Sequence, residues 1–236
     1  MKKLTKRSLL LLMLPLVYAA QTQAQVFDDW EARPNISLKY KFNKNLSIAG
    51  AYYLYMDKNM SQYDKSVIGG EIGYKINSWL KAGIDYRFGT NAQKQYHDVR
   101  YAVTFDYNSP SKKWNIAYRP MLQQEFTSLS KDHLAEQPIE YYLRNRITLS
   151  YDISRAVEIY VFTENYQQME QGNMGFHRQK SAIGADFEIN KRNKIGTRFE
   201  VLNKKSGKMI ARPNLSYTYT LGYVKSSSNK NKRVSH

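Results

Sequence analysis

The sequence predicts an all-β fold: a transmembrane antiparallel up-and-down β-barrel of about 12 strands, within a range of 10 to 12. Three observations carry this. From about Asn35 to Tyr223 apolar and polar residues alternate with a period of two, first in Ile36-Ser-Leu38-Lys-Tyr40-Lys-Phe42 and last in Leu215-Ser-Tyr217-Thr-Tyr219-Thr-Leu221-Gly-Tyr223. A strand points successive side chains to opposite faces, so each run builds one apolar and one polar face. The runs follow an export leader, and their connections are alternately short and long, as in barrels with lipid outside and water within.

The leader comes first. Lys2, Lys3, Lys6 and Arg7 form its basic start, Leu9 to Val17 its apolar stretch, and Thr22-Gln23-Ala24 offers small residues for cleavage. Residues 1–24 therefore read as a cleaved signal peptide, 25–224 as the barrel, and 225–236 as a basic tail expected to be disordered. The apolar stretch falls short of the roughly 20 residues of a spanning helix, and the absence of cysteine excludes a lipid-anchored N-terminus. The formal net charge of +16 falls to +12 without the four bases of the leader, and to about +8 without Lys225, Lys230, Lys232 and Arg233 of the tail. The remaining bases are spread through alternating strands of an exported chain, which argues against nucleic acid as a partner.

Eleven runs keep the period: 34–42, 46–56, 66–76, 79–88, 98–107, 114–126, 140–153, 157–166, 178–190, 194–202 and 212–224. Short turns of turn-forming residues join them in pairs at Asn43-Lys44-Asn45, Asn77-Ser78, Asn108 to Lys113, Ser154-Arg155-Ala156 and Lys191-Arg192-Asn193. Longer connections fall near 57–65, 89–97, 127–139, 167–177 and 203–211. With the short turns at one end, the first and last runs point the same way. An antiparallel closure then needs one more strand running the other way, and Val26 to Arg33, with Phe27 and Trp30, are the residues left for it.

Aromatic residues sort to the ends of the apolar face. Phe42, Tyr74, Tyr107, Trp114, Tyr151, Phe187 and Tyr223 lie at the turn end, and Tyr52, Tyr86, Phe88 and Phe199 near the loop end. Amphipathic rings favour the membrane–water boundary, so two girdles follow.

The layout resembles the uncharacterised Gram-negative outer-membrane β-barrel proteins grouped as a domain of unknown function, and at the level of the fold the small monomeric porins. The stretches that carry it are Trp30, Lys41-Phe-Asn-Lys-Asn-Leu-Ser47, Tyr74-Lys-Ile-Asn-Ser-Trp-Leu-Lys-Ala-Gly-Ile-Asp-Tyr-Arg-Phe88, Arg144-Asn-Arg-Ile147, Phe162-Thr-Glu-Asn165 and the closing strand from Tyr217 to Tyr223. The resemblance implies fold and an outer-membrane location, and supplies no activity. Such barrels usually stop at a C-terminal aromatic, whereas here Val224-Lys-Ser-Ser-Ser and the basic tail follow Tyr223.

The polar face carries the candidate site. Arg87, Arg100, Arg144, Arg146, Arg178 and Arg198, with Glu125 and Glu164, should line the loop-end half of the lumen, beside Lys180, Asp85 and Glu200. Adjacent strands would place Arg144 and Arg146 between Glu125 and Glu164. Two uses fit such a lining: a charged constriction selecting anionic solutes, or an ion-pair ladder that fills the lumen. The inward glycines Gly69, Gly73, Gly83, Gly184 and Gly196 make room for either.

Catalysis has little footing. His97, His133, His177 and His236 belong to no Ser-His motif, and His97-Asp98 is the sole pair kept as a remote lipid-enzyme candidate. No metal-ligand spacing is present and no cofactor is expected. The expected function is a narrow passive channel for small polar or anionic solutes; a sealed structural or interaction barrel and a lipid-modifying enzyme are the alternatives. The expected partners are outer-membrane lipid, the machinery that inserts barrels there and small anionic solutes, for a monomer in the cell outer membrane.

Overall fold

The computed structural model describes residues 27–91, 94–111, 113–129, 139–170 and 173–223; the leader and the tail lie outside them. A short strand, β1 (Asp29–Trp30), precedes eleven long ones: β2 (Asn35–Lys41), β3 (Leu46–Asp57), β4 (Gln62–Lys75), β5 (Leu80–Thr90), β6 (Lys94–Asn108), β7 (Trp114–Leu129), β8 (Glu140–Ser154), β9 (Val157–Glu170), β10 (Asn173–Glu188), β11 (Asn193–Lys204) and β12 (Met209–Gly222). Each long strand pairs antiparallel with the next, and β12 returns to β2 to close the barrel. Closure leaves no open edge, so every wall strand has a hydrogen-bonding neighbour on both sides.

The fold class is as expected, with a strand in the N-terminal segment where the added one was placed. Its direction differs. Asp29 pairs with Ile210 and Trp30 with Ala211, parallel, and β2 continues in the same parallel register from Asn35–Ser216 to Lys41–Gly222. β1 and β2 are thus one descending strand, interrupted at residues 31–34 where Pro34 has no N–H to give. The interruption stays clamped: Glu31 N donates to Ala211 O at 2.9 Å, and Ala32 and Met56 exchange two bonds of 3.0 Å. A parallel ladder satisfies the backbone as an antiparallel one does. The odd number of wall strands therefore needs no extra ascending partner.

One device recurs at the short turns. The Asn43 side-chain oxygen accepts from Asn45 N and Leu46 N, Asn77 from Trp79 N and Leu80 N, and Asn190 from Arg192 N and Asn193 N, all at 2.7–3.0 Å. An asparagine that mimics the backbone in this way fixes a tight turn. The loop-end connections are shorter than the periodicity predicted, because β4, β6, β9, β10 and β12 extend several residues past the alternating runs. In these extensions polar residues such as Gln62, Asp64, Lys94, Gln95, Gln167 and Gln168 interrupt the apolar alternation, so the ladder continues while the pattern stops.

The outward face carries that belt. Ile72, Ile84, Leu149 and Ile183 stand 38–60% exposed. Phe42, Tyr74, Tyr107, Trp114 and Tyr223 are exposed at the turn end, and Tyr52 and Tyr86 toward the loop end. Water-soluble monomers rarely expose contiguous apolar surface beyond a few hundred Å2; here it circles the molecule. Near the loop end Phe27, Trp30 and Phe199 pack ring on ring, with centroids 5.6–6.3 Å apart, over the closing strand.

Candidate functional site

Inside the barrel the odd-numbered residues of β7 and the even-numbered residues of β8 to β12, in β10 from Arg178 on, face the lumen, and they build one chain of charge along its wall. Glu164 on β9 is fully buried and Arg144 on β8 nearly so. Arg144 donates to the Gln123 amide oxygen at 2.5 Å and to Glu164 at 2.8 Å. Arg146 donates to the other Glu164 oxygen at 2.7 Å. Lys180 Nζ of β10 lies 3.1 Å from Glu164 and 3.7 Å from Glu200 on β11, and Arg119 reaches within 3.6 Å of Glu164.

The chain runs on to the closing strand. Arg198 holds Glu200 at 2.9 Å, and Arg212 of β12 bridges Glu200 at 3.4 Å and Glu31 at 2.6 Å. Arg33 lies 3.1 Å from Glu31. The break between β1 and β2 therefore supplies the last acid and base of the series. Burial disfavours the charged form of Glu31, yet Arg33 and Arg212 outweigh it and hold the carboxyl below the usual carboxylate range. Rings brace the guanidiniums: Arg144 lies 4.3 Å over Tyr166 and Arg146 4.2 Å over Phe162. Across the lumen a smaller group forms on β5 and β6, where Arg87 meets Asp85 at 3.0 Å and Arg100 bridges Asp85 and Asp98.

All eight residues singled out from the sequence, Arg87, Arg100, Arg144, Arg146, Arg178, Arg198, Glu125 and Glu164, point into the lumen. Their partners differ in one respect. Arg144 and Arg146 share Glu164 and leave Glu125 aside. In the β7–β8 register Arg146 stands opposite Arg119 and Arg144 opposite Met121, while Glu125 stands opposite Glu140, four residues nearer the loop end. There Glu125 takes a hydrogen bond from the Gln123 amide and faces Arg178 at 3.9 Å. Arg119, Gln123, Tyr166, Arg212, Glu31 and Arg33 went unremarked in the sequence. Their inward parity was the available signal: Glu31 and Arg33 continue the odd-numbered series of Lys39 and Lys41.

His97 and Asp98 do not form an acid–base pair. Asp98 turns inward to Arg100, whereas His97 lies on the other face, stacked at 4.4 Å on Phe126 and 2.9 Å from the Tyr86 hydroxyl. His177 sits against the Tyr142 ring, and His133 and His236 lie outside the described residues. Among the described residues no group of His, Asp and Glu is arranged to hold a metal ion.

Cavities lie on either side of the ionic layer. A cavity of about 360 Å3 opens toward the loop end, lined by Arg33, Lys65, Arg87, Arg100, Arg144 and Arg178 among others. Cavities of about 430 and 510 Å3 lie toward the turn end, one lined by Arg119 and Arg146 and the other by Tyr53, Asp85 and Arg198. The loop-end cavity shares no lining residue with either.

A family profile described as a protein of unknown function (DUF2490) matches residues 30–206. No curated protein matches the sequence. Among solved structures, a bacterial polysaccharide outer membrane secretin is similar with a TM-score of 0.50 at 12% identity, over 74% of this chain and 64% of that one. This chain thus spans under two-thirds of that protein's length. The β domain of the Bordetella autotransporter BrkA aligns with a TM-score of 0.48 at 12% identity, over 70% of this chain and 78% of that one. At such identity the secretin likeness speaks for the outer-membrane barrel fold alone.

Proposed function

The chain belongs to the DUF2490 family of proteins of unknown function, and on that premise we propose an outer-membrane barrel closed at mid-depth by ion pairs, which acts at its loop-end mouth. The observation that carries this reading is Glu164, fully buried and gripped by Arg119, Arg144, Arg146 and Lys180. Removing one member of such a cluster strands the other charges, so the layer resists parting. The separate cavities above and below support the same reading.

The setting follows from the outward face. Apolar residues between two aromatic girdles suit a bilayer, with the tight turns in the periplasm and the loop end outside. Export removes residues 1–24 and leaves Gln25 first; intact-mass analysis of membrane-extracted protein checks this, and retention of Met1 would contradict it. Passive passage of small anions, the use first expected from the arginines, requires the layer to open. Planar-bilayer recording of the folded mature chain decides between the two. The proposal expects a silent barrel, and discrete long-lived openings would replace it with the channel.

A further inference from the structure

Among the described residues, the loop-end cavity is lined by more positive charge than its carboxylates neutralise. Nine Lys and Arg side chains line it against four carboxylates. The layer beneath does not absorb the excess, because Glu164 and Glu200 already share six cations between them. Three of the nine are weakly engaged. Lys65 stays 3.9 Å from Asp64 and Arg178 3.9 Å from Glu125, and Lys204 forms no ion pair among the described residues. Two of these are nonetheless fixed in place by rings: Lys65 Nζ sits 3.9 Å over Tyr96, and the Arg178 guanidinium 4.3 Å over Tyr166. A ring face orients a cation without cancelling its charge.

Hydrogen-bonding capacity is also left over. The Nε atoms of Arg33 and Arg144 are buried without a hydrogen-bond partner among the described residues, and both residues line this cavity. A buried donor is costly until an acceptor meets it. The cavity volume of about 360 Å3 falls at the small end of ligand sites, which run from about 300 to 1,000 Å3.

We propose that this cavity binds a compact soluble polyanion carrying two or more phosphate-type oxyanion groups. Each phosphate brings a charge of roughly −1.5 to −2 and three acceptor oxygens, the densest way to meet several cations in so small a space. Guanidinium forks match such oxygens two at a time. The wall around the cavity is hydrogen-bonded throughout, its one interruption at residues 31–34 being clamped to Ala211 and Met56, so the ligand enters by the loop-end mouth and not sideways from the bilayer. The inference goes beyond the closed-lumen reading and does not need it: conductance tests the layer, and titration tests the cavity.

The probe is inorganic tripolyphosphate, titrated calorimetrically into the folded full-length mature chain in zwitterionic detergent. The expected result is saturable binding of one equivalent, weakened at least tenfold by the combined change Lys65→Gln, Arg178→Gln and Lys204→Gln. A matched change at the turn end, Lys39→Gln, Lys41→Gln and Lys75→Gln, should leave affinity within twofold. Should the first triple variant fail to fold, Lys65→Gln and Lys204→Gln taken singly should each weaken binding about threefold. Absence of saturable binding, or equal loss at both ends of the lumen, overturns the site.

Discussion

The two halves of the barrel wall share one alternation and use it to opposite ends. From β7 to β12 most of the buried inward residues are long: Gln123, Tyr142, Arg144, Phe162, Glu164, Tyr166, Glu200 and Arg212. From β3 to β5 the inward series includes the small residues Ala49, Ala51, Gly69, Gly73 and Gly83 beside Tyr53, Asp85 and Arg87, and Val67 is the one large hydrophobic residue buried there. One half of the lining is bulky and the other is sparser. The outward pattern specifies that there is a wall; the size of the inward residues specifies whether the space inside is filled. A barrel can therefore be recognised from alternation while its permeability is decided by residues that leave the alternation unchanged.

The largest contrast should come from the acid at the centre of the filled half. Glu164→Gln removes the charge shared by four cations and should cost about 3–5 kcal/mol, as breaking a buried cluster does. Glu71→Gln, in the sparse half and with no short ion pair among the described residues, should cost under about 1 kcal/mol. Urea titrations of folding into lipid vesicles measure both, and equal losses would erase the distinction between the halves.

The outward face should respond alike in both halves. Ile72→Arg on β4 and Leu149→Arg on β8 each place a charge in the middle of the apolar belt, at about 2–4 kcal/mol. Arginine at inward Thr104 or Thr148 should be milder. The same folding titrations would expose a wrong register if the inward and outward sets behaved alike.

Close packing distinguishes the halves at the level of single methyl groups. A Cβ at Gly184 would lie 2.5 Å from the Tyr160 ring, whereas one at inward Gly73 of β4 meets nothing nearer than the Ser47 hydroxyl at 3.4 Å. Gly184→Ala should cost about 1–3 kcal/mol through overpacking, and Gly73→Ala should be close to neutral. Comparable denaturation midpoints for the two variants would contradict the tight contact.

The smallest effect should appear at the seam. The carboxyl of Glu31 is depressed by Arg33 and Arg212 after burial has worked against it. A depressed carboxyl contributes stability above its unfolded pKa of about 4 and loses it as pH falls through the folded value. Glu31→Gln should thus be less stable than the parent at neutral pH, and the difference should shrink as pH drops below about 4. A difference that stays constant down to pH 2 would show that the carboxylate charge contributes nothing there.

The sequence makes the wall legible and leaves its closure and its contents largely hidden. The strands of β5, β8 and β11 follow from the apolar alternation, and the girdles follow from where Trp114 and Tyr223 fall along it. The direction of the N-terminal strand does not, because parallel and antiparallel ladders impose the same period. Nor does the partner of Arg212, since Glu31 lies 181 positions away and meets it only once β12 closes on the start of the chain. Inward parity did place Arg144, Arg146 and Glu164 together. It could not show that Glu125 sits too near the loop end to join them, because the stagger between β7 and β8 is set by pairing across the sheet.

The central claim is that the ionic layer divides the lumen. The chain contains no cysteine, so single cysteines can be placed on either side of that layer: Thr127→Cys lining the loop-end cavity and Ala51→Cys lining a turn-end cavity. In vesicles with the loop end outward, a membrane-impermeant thiol reagent added outside should modify Thr127→Cys rapidly. The account predicts that Ala51→Cys is modified at least a hundredfold more slowly. Equal rates at the two positions would mean that the lumen is open from end to end and would contradict it.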